Sequence, residues 1–200
     1  MINIAVLVSG RGTNLQAIIN AIKKGRIEGE IKIVISDNPN AYALKRAKKA
    51  NIEVQVLPYK KYPNKEEYEK SILEYLENFK IDLLVLAGYM RLLGPKVVKK
   101  YPYRIINIHP SLLPAFPGLE AQRQAIEYGV KISGCTVHFV DEGLDSGPII
   151  LQKAVKVRPS DDEESLSKRI LKYEHKLLPQ AIQLFAECKF EIINNKVFIK

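Results

Sequence analysis

The chain has almost no cysteine. Cys135 and Cys188 are the only two in 200 residues, far apart and without a paired ligand spacing. That excludes a disulfide-built fold and a cysteine-held metal, so a reducing, cytoplasmic setting is expected and no metal centre is. Long hydrophobic runs are missing as well. Ile2 to Val8 is apolar but short, contains Asn3, lacks a basic lead-in and passes directly into a glycine loop, so it reads as neither a leader nor a membrane span. Acidic charge also falls short, with 22 Asp and Glu against 31 Lys and Arg, a formal net charge of +9. Such an excess can mark nucleic-acid binding. Here, however, the lysines are interleaved with glutamate along helical segments such as Asn64 to Lys80, the pattern of a solvated surface, and no nucleic-acid or membrane partner is expected. The residual positive field would draw in anionic small substrates.

What is present is a sizeable apolar fraction, 46%, enough for one core. One domain over 1–200 is the expectation, because two halves would each be small. Apolar runs at Ile2 to Val8, Ile31 to Ile35, Val54 to Leu57, Ile81 to Ala87 and Ile105 to Ile108 alternate with helical patterns, the signature of a parallel α/β sheet. Helices are predicted with Leu15, Ile18, Ile19 and Ile22 on one face, from about Ala41 to Ala50, and over Glu120 to Tyr128. Strands are predicted at Thr136 to Val140 and Ile149 to Val157. A last helix is placed from Ser160, with Ser160 and Glu163 as a capping box and Asp161 and Asp162 in its first turn. Phe190 to Ile193 and Val197 to Ile199, joined through Asn194 and Asn195, resemble a hairpin. The expected fold is therefore an open, mostly parallel, Rossmann-like twisted sheet flanked by helices, with some antiparallel strands in the C-terminal half.

Two places carry chemistry. Ser9, Gly10, Arg11, Gly12, Thr13 and Asn14 join the first strand to the first helix, where backbone amides and the helix dipole favour an anion. This loop lacks the Walker lysine and the third glycine of a dinucleotide fingerprint, which disfavours a nucleoside triphosphate or NAD there. A plain tight turn with Thr13 as cap is the alternative. The second place is the end of the strand Ile105 to Ile108, which delivers His109 to the carboxyl edge of the sheet, where ligands bind in open α/β folds. Side chains alternate along a strand, so Asn107 and His109 share a side. An amide and an imidazole together suit acyl transfer: both can donate to the oxyanion that forms when a nucleophile attacks a carbonyl. His109 alone could equally be a structural histidine, and Asp145, between Gly143 and Gly147, a turn residue. His138 reads equally as core or site, and His175 as surface.

Taken together, Val8-Ser-Gly-Arg-Gly-Thr-Asn-Leu-Gln-Ala17, Leu86-Ala-Gly-Tyr-Met-Arg91, Asn107-Ile-His-Pro-Ser-Leu-Leu-Pro114 with Pro117-Gly118, Val137-His-Phe-Val140 and Leu144-Asp-Ser-Gly-Pro-Ile-Ile150 closely resemble the folate-dependent formyltransferases. The resemblance spans essentially the whole chain. It implies transfer of the formyl group of 10-formyltetrahydrofolate to the amine of glycinamide ribonucleotide in purine synthesis, with Asn107, His109 and Asp145 catalytic. It further implies ribonucleotide contacts at Gly12, Thr13, Asn14 and Glu174, and folate contacts at Lys65, Met90, Arg91, Leu92, Leu93, Asn107, Asp141 and Asp145. Residues 1–104 would then be the phosphate-binding half and 105–200 the catalytic and folate-binding half, in a monomer or homodimer. One departure stands out, because the family commonly has two histidines after Pro117-Gly118 where this chain has Glu120 and Gln122. Relatives that give the formyl group to water or to a charged tRNA carry an added amino-terminal or carboxyl-terminal domain, and the absence of both favours the small phosphorylated acceptor. A non-catalytic binding module is the remaining alternative, which the joint presence of Asn107, His109 and Asp145 opposes.

Overall fold

The computed structural model describes residues 1–200. Five strands, β1 (Ile2–Val8), β2 (Gly29–Ser36), β3 (Glu53–Val56), β4 (Leu83–Leu86) and β5 (Ile105–His109), alternate with α1 (Thr13–Lys23), α2 (Tyr42–Lys49), α3 (Lys65–Asn78) and α4 (Pro95–Lys100). The chain continues through α5 (Ala121–Tyr128), β6 (Ile132–Phe139), β7 (Ile149–Lys156) and α6 (Glu163–Ala186), and closes with β8 (Phe190–Ile193) and β9 (Lys196–Ile199). The main sheet has seven strands in the order β3-β2-β1-β4-β5-β6-β7. β1 to β5 pair parallel, while β6 and β7 pair antiparallel. The chain leaves β1 toward β2 and β3 on one side and then returns to β4 and β5 on the other. That reversal opens a crevice at the carboxyl ends of β1 and β4.

Both faces of the sheet are covered, which is why the inner strands read as unbroken apolar runs. Along β1, Ile4, Val6 and Val8 pack into a cluster with Leu15, Ile18 and Ile19 of α1 and Leu166 and Ile170 of α6. The alternate residues Ala5 and Leu7 pack into a second cluster with Tyr68, Ile72 and Leu76 of α3 and Val97 of α4.

Local chemistry differs from the sequence expectation in several places. The last helix begins at Glu163, capped by Asp162, whose side chain accepts from Ser165 N at 2.8 Å while Ser165 Oγ accepts from Asp162 N at 3.1 Å. The capping box is therefore Asp162 and Ser165, not Ser160 and Glu163. Asp161 is free for another task and pairs with Arg169. Four acidic residues in a row, Asp161 to Glu164, left the register of the cap ambiguous. β4 is shorter than the apolar run Ile81 to Ala87, because Ile81 N closes onto Leu76 O at the end of α3. β6 is longer than expected, starting at Ile132, because Ser133 and Gly134 add polar and small residues that an apolar count misses. In the terminal hairpin Asn194 and Asn195 both have positive φ, 48° and 62°, the conformation of a type I′ turn.

Candidate active site

The carboxyl edge of the sheet collects four segments. The loop after β1 is tied to the loop after β4 through Ser9 N donating to Gly88 O at 3.1 Å and Met90 N donating to Ser9 Oγ at 3.0 Å. It is tied to the loop after β2 through Asn38 Nδ2, which donates to Ser9 O at 3.1 Å. The fourth segment is the end of β5, where His109 is the last strand residue and pairs with Thr136.

In the first of these loops Gly12 is the N-cap of α1, with φ of 70° and no side-chain cap on the helix. Thr13 is thus the first helical residue and not a cap, and the first-turn amides are left for another acceptor. Gly12 has a packing reason as well, because a Cβ there would stand 2.5 Å from Cβ of Ala43. Behind the loop, Asn14 Nδ2 donates to Glu174 Oε2 at 2.8 Å. Both side chains are buried, and Asn14 Oδ1 has no partner. Burial pushes the Glu174 carboxyl above its ordinary value, against the opposing bond from Asn14. The expected ribonucleotide residues Gly12, Thr13, Asn14 and Glu174 are therefore one neighbourhood, with an acceptor ready for hydroxyl or amine donors beside an open helix N-terminus.

Alternation along β5 does put Asn107 and His109 on one side, together with Ile105. Asp145 reaches them from the β6–β7 connection with a left-handed φ of 50°. Its Oδ2 stands 3.3 Å from His109 Nδ1 and accepts from Gly118 N at 2.8 Å, and its Oδ1 accepts from Asn107 Nδ2 at 3.4 Å. The other amide hydrogen of Asn107 points at His138 Nε2, 3.2 Å away. His138 Nδ1 lies 2.8 Å from Phe139 O, a carbonyl that can only accept, which assigns the proton to Nδ1 and leaves Nε2 as the acceptor for Asn107. His109 Nε2 is likewise 2.8 Å from Phe116 O. Burial holds His109 below the ordinary histidine range, while the Phe116 carbonyl and Asp145 pull the other way without prevailing. For Asp145 itself burial acts upward, but contact with His138, the Gly118 amide and nearby His109 outweigh it, so the carboxyl lies below its ordinary value.

The loop that brings Phe116 to His109 is fixed from β6 and β7. Thr136 Oγ1 donates to Ser111 O at 2.7 Å and accepts from Leu113 N at 3.0 Å, and Gln152 Nε2 donates to Leu113 O at 3.0 Å. The Leu113–Pro114 bond in this loop is cis. Sequence reading left His138 undecided and missed Thr136, Gln152 and the Phe116 carbonyl. A backbone acceptor has no residue signature, but the Val137-His-Phe motif was a usable signal for His138.

The expected folate residues divide. Met90 and Leu92 are exposed, 61% and 58%, as a ligand-facing pair would be, whereas Leu93 is buried in the core. Arg91 is held by Asp37, Nε to Oδ2 at 2.8 Å, and lies over the Tyr59 ring at 4.0 Å. Lys65 opens α3 and stands 3.6 Å from Glu69, whose buried carboxylate accepts from Gly94 N at 2.5 Å. Lys65 thus borders the end of the 88–94 segment. Asp141 accepts from Gly143 N at 3.0 Å and Ser146 Oγ at 2.8 Å, shaping the connection that presents Asp145. Glu120 is exposed and pairs with Arg123 at 3.2 Å, apart from the Asn107, His109 and Asp145 contacts.

A doubly covered α/β sheet with a bare α1 N-terminus at its switch point, and an amide, imidazole and carboxylate gathered beside it at the end of β5, is an arrangement suited to acyl transfer between small molecules. The chain belongs to the formyl transferase family, whose model matches residues 2–182. It is 41% identical over 197 residues to a phosphoribosylglycinamide formyltransferase of Escherichia coli, covering 98% of this chain and 93% of that one. It is 47% identical over 185 residues to the trifunctional purine biosynthetic protein adenosine-3 of Drosophila pseudoobscura, covering 92% of this chain but 14% of that longer protein. The crystal structure of glycinamide ribonucleotide transformylase 1 from Symbiobacterium toebii superimposes with a TM-score of 0.98 at 52% identity, covering 100% of this chain and 94% of that one.

Proposed function

We propose that this chain transfers the formyl group of 10-formyltetrahydrofolate to the primary amine of glycinamide ribonucleotide, giving formylglycinamide ribonucleotide and tetrahydrofolate in purine biosynthesis. The observation that carries the reading is the placement of Asn107, His109 and Asp145 at the end of β5, in the same sheet edge as an uncapped α1 and the Asn14–Glu174 pair. One end suits a phosphate, the other an attacked carbonyl. The phosphate docks on the Gly12, Thr13 and Asn14 amides, with Glu174 accepting from the sugar or glycinamide part. The folate ring system lies against Met90 and Leu92 and the 141–145 backbone, with Arg91 fixing that segment, Leu93 supporting it from the core and Lys65 facing the folate tail.

In the reaction the amine nitrogen forms a bond to the formyl carbon and the carbonyl oxygen becomes an oxyanion. Asn107 and protonated His109 are its donors. In the free chain those donors are occupied by His138, Asp145 and the Phe116 carbonyl. Binding must exchange these contacts for the substrate oxygen, and proton uptake by His109 accompanies the charge that forms. Asp145 accepts the proton leaving the amine, directly or through water, and passes it toward N10 as the bond from N10 to the formyl carbon breaks. Alignment of the two substrates removes much of the entropic barrier.

In this proposal 1–200 works as one domain, with 1–104 supplying most of the phosphate site and 105–200 the catalytic groups, as a monomer or homodimer in the cytoplasm. No helix is long and apolar enough to cross a membrane. Tetrahydrofolate release that requires the ribonucleotide tests the proposal.

A further inference from the structure

A cavity of about 640 Å³ lies between α1 and α6, outside the Asn107, His109 and Asp145 cluster. The two helices run in the same direction, since Asn14 meets Glu174 at one end and Gln183 accepts from Glu28 N at the other. The cavity begins at Thr13, beside the phosphate loop, and ends at Lys24 and Arg26, about 15 Å further along α1 at 1.5 Å per residue.

Its lining is one-sided in charge. Lys24, Arg26, Arg46 and Lys176 all line it, and no Asp or Glu does. None of these four cations is within ion-pair distance of a carboxylate. Arg46 is oriented by donating to Arg11 O at 2.9 Å and Gln16 Oε1 at 3.3 Å. His175, expected at the surface, is half-buried, and its Nε2 is shielded from solvent without a partner. Unpaired cations around a concave surface focus a positive potential into it.

The far end is shaped by the helix terminus. Arg26 N donates to Ala21 O at 2.9 Å and Gly25 N to Ile22 O at 2.9 Å, with Gly25 at φ of 66°. This Schellman closure satisfies the last carbonyls of α1, so the negative end of the helix is covered where Lys24 and Arg26 stand. Between the two basic ends the walls carry the amides of Gln16, Asn20 and Gln180 and the apolar surfaces of Ala17 and Pro179. Amides read hydroxyls and base edges, and flat apolar surface takes a ring.

We propose that this groove is a second anion site that holds a nucleoside di- or triphosphate, separate from the phosphate loop used by the substrate. The phosphates sit at the Lys24 and Arg26 end, and the sugar and base lie along the amides toward His175. The test titrates the full chain with ADP by calorimetry, with glycinamide ribonucleotide saturating and its own affinity measured in the same series. The expected result is one ADP per chain in the presence of the ribonucleotide. In Lys24→Glu/Arg26→Glu, ADP affinity falls at least tenfold, while the melting temperature, ribonucleotide affinity and turnover stay as in the unaltered chain. Displacement of ADP by the ribonucleotide, ADP affinity within twofold in the double variant, or no binding at several millimolar ADP overturns the site. Tripolyphosphate binding as tightly as ADP overturns the nucleoside assignment.

Discussion

Asp145 Oδ2 faces His109 Nδ1 at 3.3 Å while the Phe116 carbonyl faces Nε2 at 2.8 Å, so the His109 ring has an acceptor at each nitrogen. A neutral ring carries one proton and can satisfy only one of them. Protonation satisfies both, and burial is what opposes it. In the proposed reaction the ring would take up its second proton as negative charge develops on the substrate oxygen, a stabilisation that belongs to the transition state more than to the ground state.

His109→Ala removes that donor. Turnover is expected to fall by about 10²–10³, the range seen when one oxyanion donor is lost, with glycinamide ribonucleotide affinity within twofold. Single-turnover rates beside a binding titration check it, and turnover near the unaltered level takes His109 out of the mechanism.

Glu174→Gln separates binding from stability. Burial raises the Glu174 pKa above its ordinary 4.5. A raised carboxyl contributes stability that is fully present below the unfolded value and is lost as pH rises through the folded one. The Gln variant, always neutral, escapes that loss, so its stability relative to the unaltered chain improves from pH 4 to pH 8 in urea unfolding. Ribonucleotide binding moves the opposite way, weakening about tenfold through the lost charged acceptor. A stability difference independent of pH contradicts the assignment.

Arg91→Ala frees the 88–94 segment from Asp37 and Tyr59. A partly exposed ion pair and a cation–π contact are each worth about 1 kcal/mol, so KM for 10-formyltetrahydrofolate should rise several-fold with kcat within twofold. A large loss of kcat at unchanged KM would point to a direct role in the chemistry.

Gly12→Ala places a Cβ at positive φ and against Ala43. The left-handed conformation alone costs about 1–2 kcal/mol, and each kcal/mol lowers the melting temperature of a chain this size by about 2–4 °C. Ribonucleotide binding should weaken at the same time, because the α1 amides move. A variant with unchanged melting and binding removes the close approach of α2 as the reason for this glycine.

The sheet and the shared side of Asn107 and His109 were legible in the sequence because both follow from strand periodicity, and along β5 Ile106 and Ile108 join one core cluster while Ile105 joins the other. The switch point follows from strand order, which periodicity does not encode. Asp145 had no signal of its own beyond the resemblance, since its geometry depends on a left-handed residue in a connection. The Phe116 carbonyl was illegible because backbone acceptors are the same at every residue, and α4 was missed because the six residues Pro95–Lys100 are too few to show a helical period. His175 was read as surface because a histidine beside lysine on a charged helix looks solvated; it lines the groove between α1 and α6 half-buried, with only Nε2 shielded from solvent.

The most direct measurement incubates the chain with 10-formyltetrahydrofolate labelled in the formyl carbon, with and without glycinamide ribonucleotide, and follows where the label goes. The account predicts label in the ribonucleotide one-for-one with tetrahydrofolate, and neither product when the ribonucleotide is left out. Label released as formate at a rate independent of the ribonucleotide would contradict it.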